Sequence, residues 1–334
     1  MSTAPTIRMR NTADLVALLP HLLGYHPSNA LVLVCLREGR ICLTAHQPLP
    51  PTREIHPALC DLLAGMAKAD PEGVIIVGYE VARAAATAIN LAAKACSEVG
   101  VRVHDRILVT SEGWQSLDTG EASTTAGSTS AAIAELVAAG VAPLASREAL
   151  AAVLEPTGDA AKVARHIARY TARRDDEDLL ELFCSAWPVV LDVRDGAGQV
   201  ASKIAARAVL AVHDVTVRDL LVARLTPGTI DPDDVPGTMG GAIRSLPSPA
   251  WANDTGWDLV RTQSRLQDRL VRLCAMTPDS HAAPPLTVLA TWAWWRGDGA
   301  LSRVAVDRAL RCQPDYRLAL LLEKMLDLAI PPRR

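Results

Sequence analysis

Apolar positions along the 334 residues fall into two kinds of run, and the change between them divides the chain. In the first third the runs are short: Ala30–Leu36, rich in Val, and Gly73–Tyr79 are continuous, and Arg40–Ala45 and Val101–Thr110 are two further runs of strand length. Runs that do not alternate with polar residues are expected of strands covered on both faces. Glu38-Gly39 reads as a turn, so the first two runs form a hairpin. Helical segments lie between them. Thr12–Leu22 starts at Thr12 as cap and stops at Gly24, a second helix runs from Glu54 to Ala69, and Val81–Val99 stops at Gly100. The order strand, helix, strand over residues 73–110 predicts a right-handed crossover and at least one parallel pair.

Ser111–Ser130 is rich in Ser, Thr and Gly and is expected to be a loop. Beyond it the apolar spacing becomes helical. Helices are expected at Ala131–Ala139, Ser146–Leu154, Asp159–Ala172, Asp175–Trp187, between Gln199 and His213, and at Asp214–Arg224. Pro227–Asn253, crowded with Pro, Gly, Asp and Ser, reads as a linker. Four more helices follow at Trp257–Ala275, Pro285–Arg296, Ala300–Arg311 and Asp315–Leu328. Within them Gly297-Asp298, Ala309-Leu310 and Pro314 fall at the offsets of one tetratricopeptide unit, with Ser302 as the small residue at a helix crossing. A lone unit of that kind does not stand by itself. It is expected to dock on the rest of the chain and to bury area from Trp292, Trp294 and Trp295.

The predicted fold is therefore α/β: a mixed sheet of about four or more strands covered by helices, and a mainly helical C-terminal region ending in a tetratricopeptide-like helical hairpin. The expected organisation is an α/β domain over 1–155, a helical segment over 156–226 packed on it, a linker over 227–256 and a helical region over 257–334.

Composition changes this picture little. Hydrophobic residues make up 49% and charged residues 21%, enough for a sizeable core and too few charges for a disordered chain. Aromatics are 4%, with Phe183 the single Phe, so the core is expected to be Ala, Val and Leu. The net charge of −3 offers no global basic field, which argues against a nucleic-acid partner. Seven scattered cysteines (Cys35, Cys42, Cys60, Cys96, Cys184, Cys274 and Cys312) contain no Cys-x-x-Cys pair. They read as free thiols in a reducing compartment, and no clustered ligand set for a metal is visible. With no signal-peptide pattern at the start and no apolar stretch long enough to span a bilayer, the expected location is the cytoplasm.

Candidate chemistry gathers at the expected carboxyl edge of the sheet, where open α/β sheets bind ligands. Gly24, Tyr25 and His26 join the first helix to the first strand. His26 would serve there as base or ligand, or else simply sit on a rigid surface turn. Tyr79 and Glu80 end the third strand; the Glu80 carboxylate would take a proton, bind a ribose or hold a metal, or equally cap the next helix. Asp105 on the fourth strand and Trp114 beyond it complete the candidate pocket. His104 and Asp105 are neighbours in a strand and cannot form a dyad on one face. No Gly-x-Gly-x-x-Gly follows the third strand, and neither a phosphate-loop lysine nor a Gly-x-Ser-x-Gly elbow is present, so no cofactor is expected.

Two basic stripes recur at helical spacing. Lys162, Arg165, Arg169 and Arg173 precede the acidic run Asp175–Asp178. Arg261, Arg265, Arg269 and Arg272 lie opposite Leu259, Leu266, Leu270 and Leu273. The second stripe is a candidate surface for a protein partner, or else an ordinary solvated helix face.

Several ordered marks resemble an uncharacterised actinobacterial family classed as a domain of unknown function. They are Pro20-His21-Leu22-Leu23-Gly24-Tyr25-His26-Pro27 followed by Leu31–Val34, then Val74–Tyr79, Val109 through Trp114, Ser146–Leu150, and Ala290 to Leu322 with its Gly297-Asp298-Gly299 and Pro314-Asp315-Tyr316. The resemblance runs from Leu15 nearly to Pro331 and implies no particular activity, cofactor or substrate. Asn29-Ala30, His46–Pro50 and the Cys-free Ser116–Ser128 depart from the family's pattern, which lowers the expectation of catalysis. Two functions remain open: a non-catalytic binding or regulatory protein using its C-terminal helices, and a small-ligand binder or enzyme at the sheet edge.

Overall fold

The structure, a computed structural model, describes residues 5–49, 55–80, 85–124, 131–172, 179–194, 197–229, 241–243 and 253–332. Val81, Arg173, the acidic run Asp175–Asp178 and most of the linker expected over Pro227–Asn253 lie outside the described residues.

The continuous apolar runs are strands. β1 (Ala30–Arg37), β2 (Arg40–Pro48), β3 (Gly73–Tyr79), β4 (Arg102–Thr110), β5 (Gly113–Ser116) and β6 (Ala122–Ser123) form one sheet in the order β2-β1-β3-β4-β5-β6. β3 and β4 are parallel and the other pairs antiparallel, so the sheet is mixed. The sixfold count corrects one expectation. Residues Ser111–Ser130 are not all loop, because the chain turns tightly after Thr110 and Gly113–Ser116 returns along β4. Four residues are too few to show a period; Gly113, Trp114 and Ser116 are buried and Gln115 is exposed.

Both sheet faces are covered, as the unbroken apolar runs require. Leu31, Leu33, Cys35, Val74 and Ile76 pack on one side against α2 (Ile55–Lys68) and α3 (Ala85–Glu98). Gly78 lets α3 approach closely, since a Cβ there would lie 2.6 Å from Ile89 Cδ1. On the other side Val32, Val34, Val77, Tyr79, Ile107, Val109 and Trp114 join a larger core. That core takes in α1 (Thr12–Leu23) through Leu15, Val16, Leu19 and Leu23. Asn11, rather than Thr12, caps α1 by accepting from the Asp14 amide, and Gly24 ends it with φ 74°. Thr12 Oγ1 instead donates to Asp105 Oδ2 at 3.4 Å, tying the helix start to β4.

The helical half follows as α4 (Ala131–Ala138), α5 (Arg147–Ala152), α6 (Ala160–Ala172), α7 (Leu179–Val190), α8 (Ser202–Ala211), α9 (Val215–Leu225), α10 (Gly256–Ala275), α11 (Ala283–Arg296), α12 (Gly299–Cys312) and α13 (Arg317–Asp327). Its core is Ala- and Val-rich, and the buried Phe183 and Trp187 fill the space between α7 and α8, with Trp187 Nε1 donating to Ala208 O at 3.2 Å. The α11–α12 hairpin turns at Gly297-Asp298, where Asp298 caps α12 by accepting from the Leu301 amide. Ser302 stands at the crossing and donates to Ala290 O at 2.9 Å. Of the tryptophans, Trp292 is buried, Trp294 Nε1 donates to Ile330 O and Trp295 Nε1 to Pro227 O. One connected core runs from Leu15 in α1 to Leu322 in α13, and residues on both sides of position 155 share it. Among the described residues no helix is long and apolar enough to cross a membrane.

Candidate functional site

The strand register places one rung at the carboxyl edge of β3. Ala30 faces Pro48 on one side and Tyr79 on the other, Tyr79 faces Val109, and Val109 faces Trp114. Tyr79 and Trp114 therefore flank Val109 on one sheet face, and all three belong to the larger core. Tyr79 and Trp114 are 7% and 4% exposed, yet neither Tyr79 Oη nor Trp114 Nε1 has a hydrogen-bond partner among the described residues. Burial also raises the Tyr79 phenol, so its proton stays on.

Just before β1, Tyr25 is drawn to the same edge. Its segment runs beside residue 144, with the His26 amide donating to Leu144 O at 2.8 Å and the Leu144 amide to Gly24 O at 2.9 Å. The Tyr25 ring meets His46 of β2 edge-on, 5.7 Å between centroids. Burial lifts the Tyr25 phenol to about 12, with Arg147 opposing. Burial first, and Arg147 second, hold the His46 imidazole down at about 4. Arg147 in turn pairs with Asp307 of α12 at 3.3 Å, so this edge is linked to the C-terminal hairpin.

The other expected residues are placed differently. His26 is exposed. Glu80 is half-buried at the rim and its amide donates to Val109 O at 2.9 Å; the helix start that it would cap lies outside the described residues. Asp105 is level with Ile75, four residues below Tyr79, which is about 13 Å down the sheet at ~3.3 Å per residue. Its carboxylate accepts from Ser116 Oγ at 2.6 Å, Thr12 Oγ1 and the Arg106 amide, and so joins α1, β4 and β5 rather than facing the rim. A register shift between Val74 and Ile75 sets this orientation: Val103 packs toward α3, and after His104 the next residues Asp105, Ile107 and Val109 turn to the other face. The structure thus brings Tyr25, Tyr79 and Trp114 to one edge and leaves Asp105 and His26 apart from them. His46 and Arg147 belong to this edge and were not among the expected residues. Nothing in the local sequence marks them, because their contacts come from chain segments about a hundred residues apart.

The arginines of α10 are engaged within the chain. Arg269 donates to Val190 O at 2.8 Å, to Val189 O at 2.6 Å and to Gly198 O at 3.1 Å, closing the carbonyl end of α7. Arg272 donates to Gln199 Oε1 at 2.7 Å, Arg265 reaches Val193 O at 3.5 Å, and Arg261 pairs with Asp258 at 2.7 Å. This stripe is mostly an internal seam holding residues 189–199, with Arg261 alone pairing on its own helix. On α6, Lys162 pairs with Asp159, and Arg165 and Arg169 are exposed. Among the described residues no three His, Cys, Asp or Glu side chains gather closely enough to hold a metal ion.

A different feature is exposed at the end of the stack. On α13 and just after it, Leu320, Leu321, Leu328 and Ile330 are 43%, 51%, 37% and 42% exposed, while Ala319 and Leu322 pack inward. Arg317 and Lys324 share the outward face at helical spacing, as does Asp327, which is paired with Arg303. No periodicity argument separates these leucines from their buried neighbours, because Leu318–Leu322 is apolar all round.

Compared with known sequence families, residues 13–333 match the one described as "Domain of unknown function (DUF4192)". No curated protein and no solved structure matches the chain.

Proposed function

Because the chain belongs to the DUF4192 family, whose description supplies no activity to carry over, we propose from its surface that it is a non-catalytic binding protein that takes a partner on the outer face of α13. The observation that carries this is the set of exposed apolar side chains at the end of the stack, Leu320 and Leu321 on α13 and Leu328 and Ile330 just after it, beside Arg317 and Lys324. Single exposed leucines are ordinary on protein surfaces, whereas several together mark an interaction site. Apolar residues beside cations fit an amphipathic helix that carries carboxylates beside its own apolar stripe. The Arg147–Asp307 pair and the Trp294–Ile330 contact would connect such binding to the sheet edge and to the chain end. We place the protein in the cytoplasm. Support comes from its free cysteines, of which Cys35, Cys96 and Cys274 are buried with thiols pushed up by burial to about 12, 11 and 12.

The test is affinity purification from native lysate with the full chain and with a Leu320→Glu/Leu321→Glu variant, alongside sedimentation of each. Both positions are exposed, so the variant should keep its melting temperature within ~2 °C. An acidic partner held by the parent and lost by the variant supports the reading. Identical retained sets, an empty set, or a self-association that the variant abolishes would each replace it.

A further inference from the structure

We propose that the carboxyl edge of the sheet is a second, separate site that takes the carbonyl tip of a small uncharged molecule between Tyr79 and Trp114. The starting point is two buried donors with no acceptor. Tyr79 and Trp114 lie on one face of one rung, flanking Val109, and neither Oη nor Nε1 is bonded to any of the described residues. A buried donor left unpaired costs about 1–3 kcal/mol, so two on one rung, with only Val109 between them, are a standing demand for an acceptor from outside the chain.

The surroundings say which acceptor. Val32, Val77 and Val109 form the apolar floor, and Leu19 and Leu23 of α1 belong to the same core. No ionised group is shown at the two donors. The Tyr79 phenol is held protonated by burial, and His46, further along the face, is held neutral. Arg147, which acts on Tyr25 and His46 at this edge, pairs with Asp307. An anion brought between two neutral donors in apolar walls would lose its hydration without a counter-charge. A ketone, amide or lactam oxygen would satisfy both donors at little desolvation cost. Since Tyr79 ends β3 and only the Thr110–Gly113 pair of β4 and β5 lies beyond that rung, only the tip of the molecule need pass the rim near His26 and Glu80.

The experiment uses the full chain labelled with 15N. ε-Caprolactam and benzamide serve as neutral probes, benzoate as the charged control. The Trp114 indole N–H peak is identified by its loss in Trp114→Phe. The neutral probes should shift that peak in a saturable way and raise the melting temperature, and benzoate should do neither. Tyr79→Phe should bind each neutral probe about fivefold more weakly, the share of one neutral hydrogen bond. Without probe it should be no less stable than the parent, because it removes an unpaired group. If neither neutral probe moves the Trp114 peak, or benzoate moves it equally, the two donors serve buried water and the proposal is overturned. A Tyr79→Phe variant that binds like the parent overturns it as well.

Discussion

Single side chains in this molecule close off polar backbone that the fold would otherwise strand. Arg308 is 1% exposed and reaches four acceptors: Leu154 O, Cys274 O at 3.0 Å, Thr277 O at 3.2 Å and Asp279 Oδ1 at 2.9 Å. Three of these are carbonyls where α5 and α10 run out, the positions a helix cannot satisfy internally. Arg308→Ala should therefore lower unfolding free energy by about 3 kcal/mol or more. Arg308→Lys should recover only part, since an ammonium lacks the planar fork. Urea midpoints at constant slope check both. His46 gives a pH effect of definite sign. Its folded value of about 4 lies below the ordinary 6.5, so the folded chain binds fewer protons than the unfolded one between them. The stabilising contribution is whole above about pH 6.5 and is lost as pH falls toward 4, at up to about 1.4 kcal/mol per pH unit. His213 and His281 are lowered too, mainly by burial, so the measurement compares parent with His46→Phe at pH 7 and pH 5. The variant should lose less stability between those conditions; an equal loss would remove His46 from the account. At this scale the sequence is least legible. Tyr79 and Trp114 are visible as residues near strand ends, but Arg308 looks like any arginine of an amphipathic helix, and its burial is decided by where α5 and α10 end.

Elements were legible where the pattern is long. β1 and β3 are unbroken apolar runs, and they are strands within a residue of the expected bounds because a two-sided burial leaves no polar position to blur them. β5 was not legible, because four residues paired to β4 gain their stability from the partner strand. The α10 arginines show a different limit. Helical spacing correctly separates them from Leu259, Leu266, Leu270 and Leu273, but spacing does not say whether the other face meets water or chain. That distinction predicts unequal substitutions along one stripe. Arg269→Ala would leave the carbonyls of Val189, Val190 and Gly198 without their donor and should cost about 1–3 kcal/mol. Arg261→Ala removes one exposed pair with Asp258 and should cost under about 0.5 kcal/mol, less still in high salt. Comparable losses at the two positions would mean that the seam seen between α10 and residues 189–199 contributes nothing to stability.

At the scale of the whole molecule the question is whether the sheet and the helices are one folding unit. Chains of this length commonly unfold in more than one step. Here the sheet face made by Val32, Val34, Val77, Ile107 and Val109 belongs to the same buried cluster as Leu220, Leu266, Leu289 and Val306. Arg308 ties α12 to the ends of α5 and α10, Arg147 ties α5 to α12, and Trp295 ties α11 to the segment after α9. Such cross-links run through positions near 150, 227, 275 and 308, so no single cut separates two independently covered cores. A chain ending at residue 226 keeps every strand and α1 to α9, but it loses α10 to α13 and with them the cover over α9 and the donors to the ends of α5 and α7. It should not reach a native state: the emission of its Trp114 and Trp187 should be red-shifted and its amide protons should exchange freely, even in β1 and β3. The full chain should instead unfold with coincident far-ultraviolet and tryptophan transitions. If the shortened chain retained protected β1 and β3 amides, or the full chain showed two separated transitions, the sheet would be a unit in its own right. The coupling of the sheet edge to α12 through Arg147 and Asp307 would then lose its physical basis.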